Sequence, residues 1–210
     1  MITDGLNPFT VLLFVGAVLA GATLIVLYLV ARLTKREPFA RITLRLLFGG
    51  VGVYAVIFLL ASISSRNRVL AVGEEKHICE IDCHLAYAVA ASKSEPLPSG
   101  LVRHTVTVKV RFDEETISAR RPRDATLTPN SRYVALVDDA GNRYAGLTDG
   151  LKRKLIPGES YTTDIVFDVP ADAKGLRLVL RNNDPETTFI IGHENSLLHG
   201  KTMFSLSRTS

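Results

Sequence analysis

Two long stretches of this chain carry no charge. Residues 10–31 read TVLLFVGAVLAGATLIVLYLVA, 22 residues, and residues 46–65 add a further 20. As an α-helix, either stretch is long enough to cross a hydrocarbon core of about 30 Å. Neither shows the polar stripe that a helix on the surface of a soluble core presents to water. The pattern therefore predicts a transmembrane helical hairpin over residues 1–65, with spans at about 9–32 and 43–65. The opening MITDGLNPF has Asp4 as its only charged side chain, and the apolar run behind it is longer than that of a cleaved signal, so it reads as a retained span. Small residues recur on both spans: Gly16, Ala17, Ala20 and Gly21 on the first, Gly49, Gly50, Gly52 and Ala55 on the second. Such residues let helix backbones approach closely in lipid. They predict close packing within the hairpin, with dimerisation through the same face as the alternative.

From residue 66 onward the period changes from helical to two. In VRHTVTVKVRF, Val102, His104, Val106, Val108, Val110 and Phe112 alternate with polar residues, which predicts a strand with one buried and one wet face. RYVALVDDAGNRYAG reads as a hairpin around an Asp-Asp-Ala-Gly-Asn turn. After a Pro-Gly turn, Tyr161, Thr163, Ile165, Phe167 and Val169 alternate again, and GLRLVLRN, TTFII and TMFSLS follow at short spacing. Short strands separated by Gly, Pro, Asp and Asn turns predict an all-β sandwich over residues 66–210.

Charge changes this picture in one respect, orientation. The connector between the spans carries Arg32, Lys35, Arg36, Arg41 and Arg45 against Glu37, the N-terminal tail carries no Lys or Arg, and Arg66 and Arg68 follow the second span. Basic residues mark the cytoplasmic side, so both termini are expected outside. Of the 25 lysines and arginines, five lie in the connector and 20 follow residue 65. Two of the 21 acidic residues precede that point and 19 follow, so the predicted sandwich is close to neutral, at +1. A sequence pI of 9.2 therefore reflects topology and not a nucleic-acid surface. The basic run ARRPRD, residues 119–124, is a solvated loop or a contact for acidic head groups or an acidic partner.

Candidate chemistry concentrates in HICEIDCH, residues 77–84, which holds both cysteines. Outside the cytoplasm a disulfide between Cys79 and Cys83 would persist. It requires the chain to turn, because four residues of straight strand hold the Cα atoms about 13 Å apart. The alternative is a copper or zinc site. Cys79, Cys83 and His84 supply thiolate and imidazole, His77 is close by, and His193, Glu194 and His199 are candidates from the far end of the chain. Unpaired structural thiols are the third reading. His104 is expected as a hydrogen-bonded core histidine. There is no P-loop, dinucleotide fingerprint or Gly-x-Ser-x-Gly elbow, with Ser196 following Asn195, so no enzyme activity is expected.

The run YVALVDDAGNRYAG followed by LIPGESYTTDIVFDVPADAKGLRLVL resembles the immunoglobulin-like domain of uncharacterised bacterial lipoproteins and surface proteins, over about residues 100–182. That resemblance implies an immunoglobulin-like sandwich on the outer side of a bacterial cytoplasmic (inner) membrane, and no catalysis. The two-span layout with a C-x3-C pair also partly resembles cytochrome oxidase subunit II. Here, however, the pair opens the domain instead of closing it, and His84 is adjacent to Cys83. The copper-delivery proteins of that oxidase share C-x3-C, but usually with Pro after the second Cys and on a thioredoxin-like fold. No ligand is carried over from either. The expected function is a membrane-anchored extracytoplasmic binding or scaffolding protein, with membrane lipid and an envelope protein as partners, no cofactor and no nucleic acid. The alternative is a metal-binding or thiol-redox protein using Cys79, Cys83 and His84.

Overall fold

The computed structural model describes residues 2–4, 7–79, 83–118, 122, 124–130 and 132–207 of the 210. They form two compact units that do not follow chain order. One comprises Met1–Asp4, Asn67–Asp184 and Lys201–Ser210; the other comprises Gly5–Arg66 and Pro185–Gly200. Relative to a division at residue 65, the first few residues join the sandwich, and a late segment joins the helices.

In the helical unit, α1 (Pro8–Leu33) packs on α2 (Glu37–Ser64). Asn7 caps α1 by accepting the Phe9 amide at 2.9 Å, and Pro8 opens the first turn, where its missing N–H costs nothing. The helix ends in a Schellman turn. Arg36 N donates to Ala31 O at 2.8 Å, Lys35 N donates to Arg32 O at 3.1 Å, and Lys35 takes the left-handed position with φ 56°. Both helices are long and apolar enough to cross a membrane, with mean hydropathies of 2.6 and 2.4. The glycines do not form the expected close seam. A Cβ at Gly16, Gly49, Gly50 or Gly52 would meet nothing within 4 Å, and one at Gly21 would only touch Leu47 at 3.9 Å. The segment TTFII is not a strand either. Pro185–Phe189, PETTF, forms a 3-10 turn, because a proline fixes φ at its start and threonine hydroxyls favour local bonds.

The other unit is two five-stranded sheets. The first runs in the order β1 (Ile2–Thr3), β3 (Lys76–Ile78), β4 (Leu85–Pro96), β5 (Leu101–Phe112), β8 (Ser160–Pro170). The second runs β2 (Arg68–Leu70), β10 (Thr202–Ser205), β9 (Arg177–Asn182), β6 (Arg132–Val137), β7 (Arg143–Ala145). Their inner faces share one core: Val106, Val108, Val110, Phe112, Ile165 and Phe167 from the first sheet meet Leu70, Val134, Leu136, Leu178, Leu180 and Phe204 from the second. The inward positions of β5 and β8 are those that the alternation predicts, with Thr163 half-buried. The expected hairpin is β6–β7. Its turn is held by Asp138, whose carboxylate accepts from Asn142 N at 2.8 Å and from Tyr144 OH at 3.0 Å, with Gly141 at φ 84°. β1 pairs in parallel with β3, Ile2 opposite Lys76, so the residues before the hairpin belong to the same sheet as residues after it.

Candidate functional site

The cysteine segment leaves β3 at the end of the sandwich. Cys79 and Cys83 come to disulfide distance, with Cα atoms 4.0 Å apart, far closer than the ends of a straight four-residue strand segment. The regular strand nevertheless extends through His77 and Ile78, further into the segment than the turn geometry alone suggested. Residues 80–82 lie outside the described residues.

What fixes this turn is a buried polar network that the sequence reading did not find. Asp4 accepts the Cys79 amide at 3.1 Å and Asn182 Nδ2 at 3.3 Å, while Asn182 Nδ2 also donates to Cys79 O at 2.7 Å. Arg132 continues the network, donating to Asn182 Oδ1 and to Tyr87 OH, both at 3.1 Å, with its guanidinium over the Tyr87 ring. Lys76, fully buried, crosses between the sheets to donate to Leu180 O at 2.8 Å. Burying this many charged groups is tolerable only because each has close partners. No local signal marks Asp4 or Asn182, since the network assembles from residues 45 to 178 positions apart.

Around it lies a second cluster. His77 Nε2 donates to Asp113 Oδ2 at 2.8 Å, and Arg111 forks onto Glu75 at 2.6 and 3.0 Å while reaching Asp113 at 3.1 Å. Burial pushes the Asp113 carboxyl up, but the bonds from His77, Arg111 and the Glu115 amide outweigh it and hold the carboxyl below its ordinary value. The Arg111 bond lowers Glu75. His84 stacks on Phe112, with ring centroids 5.7 Å apart. Thr116 spends its hydroxyl proton on Asp113 O, so His84 Nδ1–H donates to Thr116 Oγ1 at 2.6 Å, and only Nε2 could serve a metal. His193 and His199 belong to the helical unit. His193 Nδ1 accepts the Asn195 amide at 3.0 Å, and His199 Nδ1 donates to Gly200 O at 2.9 Å. Among the described residues no group of three or more His, Cys, Asp or Glu side chains is arranged to hold a metal ion. His104 is half-buried at the open end of β5, and burial lowers its pKa.

The outer face of the second sheet carries a different feature. Register places Val69, Met203, Val179, Ala135 and Ala145 in one row across the strands. Arg177, Val137 and Arg143 form the row on one side of it, and Arg181 and Tyr133 form the row on the other. The result is a groove of about 320 Å³ with Val179 and Met203 in its lining and Arg143, Arg177, Arg181 and Lys201 around them. Asp139 engages Arg177 at 3.0 Å, and Arg181 lies 4.5 Å from the Tyr133 ring centre. Asp138 and Asp139 also line the groove beside its four cations, and the basic run at 119–124 falls mostly outside the described residues.

No protein-family model matches the chain, and no curated protein sequence does. Among solved structures it is similar to MPT63, a secreted protein from Mycobacterium tuberculosis, at 15% identity over 68% of this chain and 99% of that one, with a TM-score of 0.43. It is also similar to a conserved hypothetical protein from Bacillus anthracis, at 15% identity over 53% of this chain and 93% of that one, with a TM-score of 0.35.

Proposed function

We propose that this chain is a membrane-anchored binding or scaffolding protein of the bacterial cell envelope. In this reading α1 and α2 are a retained hairpin in the cytoplasmic membrane, and an immunoglobulin-like sandwich outside the cytoplasm recognises an anionic envelope partner. The observation that carries the binding reading is the groove on the outer sheet face. An apolar floor ringed by Arg143, Arg177, Arg181 and Lys201 suits a carboxylate- or phosphate-bearing surface, because guanidinium groups pair with such anions in a bidentate fork. The anchor reading is supported by the long uncharged runs within both helices, by the basic residues Arg32, Lys35, Arg36, Arg41 and Arg45 around their connection, and by β1, whose pairing means that the chain leaves the sandwich for the helices and returns to it. The protein acts here by binding, without a cofactor and without catalysis.

A fluorescein-labelled polyglutamate peptide, titrated against the full chain in detergent, tests the groove. Binding should weaken steeply with salt, and Arg143→Ala with Arg181→Ala should weaken it by roughly tenfold or more, as expected when steering charges are removed. A double variant that binds as tightly as the parent would remove the groove from the account.

A second reading rests on the adjacent sulfurs of Cys79 and Cys83, which as a reduced dithiol would offer two soft ligands to copper or zinc beside His84. Under that reading the reduced, purified chain carries metal, and Cys83→Ser weakens its binding by well over about tenfold. A chain with no free thiols and no metal before reduction identifies the pair as a structural disulfide.

A further inference from the structure

The segment Pro185–Gly200, grouped with the helices and not with the sandwich, is built inside out. Ile190 and Ile191 are buried, but so are its polar side chains His193, Glu194, Asn195 and Ser196, at 0, 4, 8 and 0% exposure, while Phe189, Leu197 and Leu198 are 61, 60 and 64% exposed. A loop in water does the reverse. The buried polar groups bond within the segment: Asn195 Nδ2 donates to Thr187 Oγ1 at 2.8 Å, and Ser196 Oγ donates to Ile190 O. Part of its backbone is also satisfied locally. The amides of Ile190, His193, Ser196 and His199 donate in turn to the carbonyls of Thr187, Ile190, His193 and Ser196, a ladder that repeats every three residues.

Two anchors fix where the segment lies along α2. At its lower end Tyr54 OH donates to Phe189 O at 2.6 Å, and at its upper end Gly200 N donates to Ser65 Oγ at 2.6 Å. Gly200 packs so closely there that a Cβ would sit 2.4 Å from the Arg66 backbone. Tyr54, Phe58, Ser62 and Ser65 fall on one stripe of α2, and Phe58 and Ser62, between the anchors, are buried. Tyr54 precedes the end of the helix by ten residues, about 15 Å at 1.5 Å per residue. That is about half the thickness of a hydrocarbon core.

We propose that the segment Pro185–Gly200 is a re-entrant element that dips along α2 into the outer leaflet and presents Phe189, Leu197 and Leu198 to lipid acyl chains. The proposal rests on the reading of α1 and α2 as a membrane hairpin. The physics is consistent with it. Non-helical backbone survives at membrane depth only when its polar groups are satisfied by protein, and the ladder and the Tyr54 bond satisfy several of them. Polar side chains at that depth turn inward, as these four do. The segment thereby adds lipid contact beyond the two helices and couples the sandwich to the bilayer by its own chain.

The chain contains no tryptophan, so single tryptophans report one site each. We would place them at Phe189→Trp and Leu197→Trp in the segment, Val53→Trp on the exposed face of α2 beside Tyr54, and Leu147→Trp on the exposed surface of the sandwich. Each full-length variant is reconstituted into phosphatidylcholine vesicles brominated in mid-chain. The expected result is that Phe189→Trp and Leu197→Trp lose emission to bromine as Val53→Trp does, several-fold more than Leu147→Trp, with matching protection from acrylamide. Segment tryptophans that behave like Leu147→Trp, while Val53→Trp is quenched, overturn the proposal and leave the hairpin standing. Segment tryptophans shielded from both bromine and acrylamide assign the patch to a protein contact between copies and also overturn it. An unquenched Val53→Trp removes the hairpin, and the proposal with it.

Discussion

Asp4 is worth more to this fold than its place in a short tail suggests. It holds the Cys79 amide and the Asn182 side chain inside the sandwich, and it secures β1 to β3 ahead of the first helix. Asp4→Ala leaves both donors buried without that acceptor, which costs about 1–3 kcal/mol. The Cys79–Cys83 bond closes a loop of only a few residues, so its effect on chain entropy is at the low end for a disulfide. Thermal unfolding of the full chain in detergent should therefore show a larger drop for Asp4→Ala than for Cys83→Ser. The reverse order would make the bond, and not the network, the brace of this turn. The contrast also marks how far the site could be read from sequence. Two cysteines four apart announce a turn through the covalent limits on their approach. Asp4, Lys76, Arg132 and Asn182 gain their roles only when distant strands bring them together, and no spacing rule anticipates that.

Among the elements, β5 was the most legible, because one face is core and the other is wet, and its alternation records this directly. Val108→Asp puts an unpaired charge among Val106, Val110 and Phe112 and should cost several kcal/mol by denaturant titration. β4 was not legible. Leu85–Val89 is buried on both faces and shows no alternation, and the rest of the strand is exposed on both. TTFII misled for a different reason: Pro185–Phe189 is a 3-10 turn, with Phe189 exposed while Ile190 and Ile191 beyond it are buried. β3 and β5 also set an acid response. Glu75 and Asp113 titrate below their ordinary values of 4.5 and 3.8. A depressed carboxylate contributes stability that is present above its unfolded pKa and lost as pH falls through its folded one. Stability from this pair should therefore hold above about pH 4.5 and fall below it. His104, also depressed, from 6.5, binds its proton more readily when unfolded, so it adds an earlier, smaller loss as pH drops below that value. In melting measured against pH, His104→Gln should remove the upper leg and Arg111→Ala should shrink the lower one. An unchanged profile in both would separate these groups from the acid response.

At the scale of the molecule, chain order and compact unit disagree, and that disagreement shapes the account. The residues before α1 return to the sandwich, and Pro185–Gly200 leaves it for the helices. The two long helices were legible from two uncharged runs, and both are long and apolar enough to cross a membrane. The exchange of segments was not, because nothing local distinguishes an apolar loop that joins the helices from an apolar strand that joins a sheet. The proposed topology puts both chain termini outside the cytoplasm. The most direct measurement is a dual reporter joined after Ser210 in intact bacteria, combining a phosphatase that is active only outside the cytoplasm with a fluorescent protein that matures only inside. The account predicts high phosphatase activity and no fluorescence. Fluorescence without phosphatase activity would place the sandwich in the cytoplasm and contradict the account.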